Sequence, residues 1–460
     1  MTNVNRPLTA LGLALLIMGQ LLPQIDFSIV NVALKLMGKT LQTQETGLVL
    51  IVACYALCFS TLIATGARLG DQYGRKRIFL CGVLGFGMAS IICGASPTLY
   101  IMLLGRLLQG LFAALLMPQI LSTIHASLSG ERHSRAVSIF TSITGLSVAF
   151  GQIFGGWIVS ANFFNLSWRA AFFVNVPLCL IIFIAGALFI PETQSTTKPT
   201  MDLKGIFLFS GVMLCLLIPI AIGQHWPHLY WLLLPVIPFS VSLIRTELAQ
   251  EKNGGSPLFP PSIFKRPSAR IGLIAEVAVT TAYSGYAFVT AICLQKALNF
   301  TPLQSGNTFM GLGLMFFIGS LLSKPASKRW GNTRTFLVGS VFSSLGFIST
   351  ILLFWAIGQQ LTVSWLLLGT GLVGFGNAFM LTSAFKITLS HIDKQHASEA
   401  SSALIIVQQG FFALGTALAG TIYSTLSHDS YLIAITSAIG TMVGIVMIIG
   451  SIVFIFSRNR

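Results

Sequence analysis

Charge is what this sequence has least of: Asp, Glu, Lys and Arg together make up 8% of its 460 residues, and the carboxylates number 12. A soluble domain needs about 25% charged residues to solvate its surface, so this composition excludes a water-soluble globular chain. Cysteine is sparse as well. All seven (Cys54, Cys58, Cys81, Cys93, Cys179, Cys215 and Cys293) fall within or at the ends of apolar runs, which argues against an extracellular disulfide framework. Polar linkers are missing except at 192–204 and 247–267. No nucleophile stands near a base, no metal-ligand cluster is spaced for a cation, and no basic surface alternates with aromatics. An enzyme, a metal site and a nucleic-acid partner are therefore not expected, and neither is a cofactor.

What fills the chain instead is apolar, with 54% hydrophobic residues and a mean hydropathy of +0.83. Fourteen runs are long enough to cross a hydrocarbon core. Six lie at 8–33, 47–67, 78–95, 99–127, 136–161 and 170–190; a central pair at 203–223 and 229–244; six more at 271–294, 305–322, 335–357, 362–381, 401–426 and 431–456. Backbone in lipid must satisfy its own hydrogen bonds, and runs of this length do so as helices. The expected fold is an all-α polytopic membrane protein. Its N-terminal six-span half occupies 1–195, two central spans and their linkers 196–269, and a C-terminal six-span half 270–460.

The net charge of +15 would suggest a polyanionic partner in a soluble protein. Its distribution points to topology instead. With a cytoplasmic N-terminus, 22 of the 27 Lys and Arg lie in inner connections and ends; Lys35, Lys39, Arg169 and Lys296 lie outside, and Arg106 lies within a span. Losing one central span would move Lys324, Lys328, Arg329 and Arg334 to the outer side, so both central segments cross or neither does. Both termini are then cytoplasmic.

Between the second and third spans runs Ala67-Arg-Leu-Gly-Asp-Gln-Tyr-Gly-Arg-Lys-Arg-Ile-Phe79. It resembles the loop signature of the major facilitator superfamily at Leu69, Gly70, Asp71, Gly74, Arg75 and Lys76, with Ala67 for the leading Gly and Gln72 for the usual Arg. A degenerate copy, Pro325 to Phe336, places Gly331, Arg334 and Phe336 on Gly74, Arg77 and Phe79, but Lys328 on Asp71. The two halves thus read as related. The resemblance implies a transporter that alternates access around a site between its halves. It also implies that Asp71 latches onto the start of the span near Ser398 to Ser402, at the positive end of that helix's dipole. A plain positive-inside signal would account for the cations but not for Asp71 with Gly74.

Two carboxylates, Asp26 and Glu276, lie well inside spans, where an ionisable group is costly and functional by default. Asp26 opens Asp26-Phe-Ser-Ile-Val-Asn-Val-Ala-Leu34, which resembles the first-span signature of the fourteen-span drug:proton antiporters, with Ser28 for Thr and Lys35 for the closing Pro. Arg106-Leu-Leu-Gln-Gly110 resembles the superfamily's fourth-span motif. Arg106 and Gln109 share a helix face, Gly110 allows close approach, and Asp26 and Arg106 both sit roughly 10 Å below the outer surface, counted at 1.5 Å per residue. The expected pairing is of Asp26 with Arg106, either as a tunable proton site or as a static ion pair. On a straight helix Asp26 lies off the face shared by Gln20, Gln24, Ser28 and Asn31, unless Pro23 bends it.

In span five Gly151, Gly155 and Gly156 match an exporter motif whose Pro is replaced by Gln152; Trp168 to Pro177 resembles a second signature of the fourteen-span exporters. Glu276, with Tyr283 and Tyr286 further along its helix, would suit a lipophilic cation or make a structural hydrogen bond. The resemblance as a whole implies a proton-coupled antiporter that exports small amphipathic or cationic compounds. It implies further a monomer in the bacterial inner membrane, driven by the proton gradient with no bound cofactor. The alternatives are proton-coupled uptake of a small metabolite on the same fold, or a non-transporting receptor or scaffold.

Overall fold

A computed structural model describes residues 7–194, 202–224, 226–255, 257–390, 392 and 397–458. Among these residues the secondary structure is helical throughout. The first six long helices are α1 (Ala10–Thr40), α2 (Glu45–Tyr73), α3 (Arg75–Ala95), α4 (Leu99–Ser127), α5 (Gly130–Ala161) and α6 (Asn175–Phe189). The central pair is α7 (Leu203–Ile222) and α8 (Val236–Lys252). The last six are α9 (Pro267–Lys296), α10 (Met310–Trp330), α11 (Asn332–Ile357), α12 (Val363–Leu389), α13 (Ala397–Leu426) and α14 (Tyr431–Arg458). Among the described residues thirteen segments are long and apolar enough to cross a membrane. Helix α5 takes the place of the fifth expected span.

Helix ends fall where the chain offers caps or breaks. Thr9 and Asp202 accept the first free amides of α1 and α7, from Gly12 and Gly205. Gly74, at φ 106°, turns α2 into α3, and Gly331, at φ 82°, turns α10 into α11. A residue with a Cβ is strained at such angles, so the glycines of the two motif copies have the same backbone task. Helix α1 runs to Thr40, past the expected end at Ala33, and carries Pro23 in its interior without ending there.

The packing repeats with an offset of eight helices. Helices α1 and α5, α2 and α4, α3 and α4, and α3 and α6 pack together, and so do α9 and α13, α10 and α12, α11 and α12, and α11 and α14. The two groups meet where α2 lies on α13 and α5 on α10. Helix α7 packs against both α2 and α13, with Thr421 and Ser424 of α13 bonded to Ile220 and Gln224. Of the apolar window in Pro227–Lys252 only 6% is buried, against 94% in α9, so α8 lies at the rim and α9 near the centre.

A cavity of about 390 Å³ separates the groups. Met117 and Phe140 line it from α4 and α5, Phe385 and Leu389 from α12, and Ile405 and Gln408 from α13. It reaches the end of the bundle that holds the Gly74 and Gly331 turns, the basic end. Above it the groups are stitched by rings: Phe412 meets Phe27 at 5.0 Å and Tyr283 at 6.1 Å between ring centres.

Candidate functional site

Asp26 and Arg106 meet in the interior of the first group, with the arginine Nη1 donating to Asp26 Oδ2 at 2.5 Å and both side chains shielded from solvent. The second oxygen of Asp26 accepts from Gln109 Nε2 and from Asn175 Nδ2, each at 2.9 Å. Gln109 also donates to Ser90 Oγ at 2.9 Å and accepts from Arg106 Nη1 at 2.8 Å. Arg106 Nε reaches the carbonyl of Ile51 at 2.9 Å, and its guanidinium lies 4.3 Å from the centre of the Tyr55 ring. Five of the first six helices therefore converge on one carboxylate.

Desolvating a carboxylate and a guanidinium is expensive unless the remaining lone pairs and protons find partners. Here Asp26 has three donors. Arg106 Nη2 is buried with no partner, so its charge is held short of full compensation. Gly110 makes the arrangement sterically possible: a Cβ there would stand 2.5 Å from the Tyr55 carbonyl oxygen, so glycine lets α4 close on α2. Tyr55 in turn donates to the carbonyl of Pro23, tying the ring over Arg106 to the helix that bears Asp26. Asp26 points into its own group, whereas Phe27 points to the seam, which is why the carboxylate lies off the face of Gln20 and Ser28.

Sequence reasoning paired Asp26 with Arg106 and set Gln109 on the arginine's helix face for the cavity or helix packing, without naming Gln109, Ser90 or Asn175 as partners of the carboxylate. Asn175 had a signal, since it is the Asn of the Trp168 to Pro177 signature; Ser90 had none.

The loop residues gather at the basic end. Arg75 chelates Asp71 Oδ1 through Nε at 3.1 Å and Nη2 at 2.8 Å, and donates to the Ser122 carbonyl at the end of α4. Lys76 Nζ reaches the Ala187 carbonyl near the end of α6, a cation at the negative end of a helix dipole. Glu192, unremarked in the sequence, caps α3 by accepting from the Lys76 amide at 3.0 Å. Gly70 lies against Gln119, and Leu69 is half-buried on the last turn of α2. Asp71 thus faces Arg75, and the side chains of Ser398 and Ser402, where the latch was expected, lie outside the described residues.

Gly151 and Gly155 bring α5 onto α1, a Cβ at the first standing 2.9 Å from the Ile25 carbonyl and at the second 2.9 Å from Ile29 Cα. Gly156 faces across the seam to the Pro302 carbonyl, and Gln152 is buried with neither amide atom paired. Glu276 Oε1 accepts from Gln408 Nε2 at 2.9 Å, while Oε2 has no partner; Gln408 itself lines the cavity. Tyr283 packs on Phe412 at the seam, but Tyr286 turns away to Thr350 on α11. Glu276 thus reaches the cavity wall through Gln408, Tyr283 stands at the seam, and Tyr286 belongs to the interior of the second group.

The family model described as the Major Facilitator Superfamily matches residues 16–416 and again 272–460. The chain belongs to that superfamily. It is a multi-pass membrane transporter and not an enzyme. Its superfamily relatives include the probable actinorhodin transporter of Streptomyces coelicolor, 30% identical over 418 residues that span 90% of this chain and 72% of the relative. The puromycin resistance protein of Streptomyces alboniger is 28% identical over 92% of this chain and 83% of its own. The multidrug resistance protein Stp of Mycobacterium tuberculosis is 26% identical over 87% and 74%. A peptide transporter of the POT group, solved with sulfate, superposes with a TM-score of 0.71 over 100% of this chain and 96% of that one. At 15% identity that likeness speaks for the superfamily fold alone.

Proposed function

We propose that this superfamily member is a proton-coupled antiporter that exports small amphipathic or cationic compounds across a bacterial inner membrane. The observation that carries the coupling is the Asp26 site: a buried carboxylate held by one arginine and two amides, in a chain with so few carboxylates inside spans. Protonating Asp26 removes the charge that balances Arg106, which weakens the ties of α1 to α4 and α6 and shifts the balance between conformations. The antibiotic transport and resistance named for the relatives supports drug-like cargo and outward direction.

In this reading the two six-helix groups rock about the seam, the termini and the basic end are cytoplasmic, and a single chain is the transporting unit. The cavity beside Gln408 then faces the cytoplasm and receives substrate, with Glu276 behind Gln408 as the acidic group that a cation would meet. A growth screen against dyes, biocides and antibiotics, with Asp26→Asn beside the wild type, tests it. Export predicts resistance to at least one compound class that the variant loses, and proton release from acid-loaded everted vesicles when that compound is added. Absence of substrate-dependent proton release with every toxic cation tried would argue for the uptake reading instead.

A further inference from the structure

At the end of the bundle opposite the cavity, the two groups are joined by polar contacts that no site role has yet absorbed. Lys35, on α1, donates to the carbonyl of Gln295 on α9 and to Asn299 Oδ1, the latter at 3.2 Å. Gln295 lies in the last turn of α9, where carbonyls have no partner within the helix. The neighbouring carbonyls are taken by backbone amides, that of Cys293 by Ala297 and Leu298 and that of Leu294 by Phe300. The Gln295 carbonyl takes the lysine instead. A cation there also meets the negative end of the α9 dipole.

A second tie lies alongside. Ser160, at the same end of α5, accepts from the amide of Leu303, in the turn that leads into α10. Gly156 fits under the Pro302 carbonyl, where a Cβ would come within 2.5 Å. Side chains between these ties and the cavity are buried with polar atoms unpaired: Asn31 on α1 and Gln152 on α5. Groups of that kind cost free energy in a dry seam and would be relieved by water if this end opened.

We propose that Lys35 is the bolt of an outer gate: it holds α1 to the end of α9 while the cavity is open at the basic end, and must release for the path past Asn31 and Gln152 to open. The bolt suits a gate because its acceptors are neutral. The three ion pairs among the described residues leave Lys35 out, so releasing it exposes an ammonium to water without leaving a buried carboxylate behind. The antiporter signature, which carries a proline where Lys35 stands, does not itself supply the bolt. The inference rests on the alternating-access reading and names a positioning residue for it, not a group that touches substrate.

The test reads conformation alone, in full-length protein in lipid nanodiscs without substrate or gradient. Cys81, the exposed cysteine among the described residues, is replaced by Ser. One spin-label pair at Gln44 and Gln360 reports the outer end, and another at Arg132 and Lys328 reports the basic end. Lys35→Met is expected to raise the long-distance population of the outer pair about tenfold, the effect of losing one charge-assisted hydrogen bond, and to shorten the basic pair reciprocally. Lys35→Arg is expected to keep the wild-type ratio. Two populations whose ratio Lys35→Met leaves unchanged would overturn the bolt and leave alternating access standing. A single distance at both ends in wild type and variant would overturn both. Failure to export any tested compound bears on the antiporter reading and not on this ratio.

Discussion

At the scale of single residues the molecule is organised by how few charges it places out of water's reach. Asp26 and Arg106 form the one ion pair among the described residues that is closed to solvent on both sides, and each partner depends on the other. Arg106→Ala would leave Asp26 buried with two amides for company, which costs about 3–5 kcal/mol; the expected readout is a clearly lowered Tm of the purified protein. Arg106→Lys keeps the charge but cannot bond Asp26, Gln109 and the Ile51 carbonyl at once, so the same scan should place it between wild type and Ala. An unchanged Tm for both would mean the pair is already hydrated. The pair itself was legible in sequence, because two charged residues inside spans at equal depth have few other partners to find. Ser90 and Asn175 were not, since which uncharged polar side chain turns toward a carboxylate depends on helix rotation.

At the scale of helices, glycine sets how closely the elements approach. Gly110 lets α4 lie against the backbone of α2 at Tyr55, and Gly151 and Gly155 do the same for α5 on α1. Gly110→Val is expected to push α4 from α2 and lift Tyr55 off Arg106, costing about 1–3 kcal/mol as overpacking does. Substrate-driven proton flux in vesicles should fall with it; a variant with wild-type flux and Tm would show that the α2–α4 contact is not needed. The spans were readable, thirteen of the fourteen expected being long and apolar enough among the described residues, because lipid demands about 20 apolar residues per crossing. Their ends were less so: the apolar run stops at Ala33, before Lys35 and Lys39, whereas α1 continues to Thr40 with Met37 buried in its last turns. The motif loop was readable as a turn from Gly74, but the bonds of its cations to the ends of α4 and α6 were not, since those carbonyls come from elements far along the chain.

At the scale of the whole molecule, the repeated packing and the cavity at one end describe one state of a device whose other state the outer gate would release. Composition and charge bias pointed to a polytopic membrane protein, the loop motif's resemblance made it a transporter, and the superfamily match agrees. Which end is open needed coordinates because it depends on how the two groups are tilted, and that Glu276 sits behind Gln408 at the cavity wall needed them because it depends on the rotations of α9 and α13. The central claim is that Asp26 couples proton movement to that tilt. It is tested most directly in proteoliposomes, by comparing proton-driven uphill transport with substrate exchange at equal pH for wild type and Asp26→Asn. The account predicts that Asp26→Asn loses uphill transport by at least tenfold while retaining exchange. Uphill transport at the wild-type rate in Asp26→Asn would contradict it.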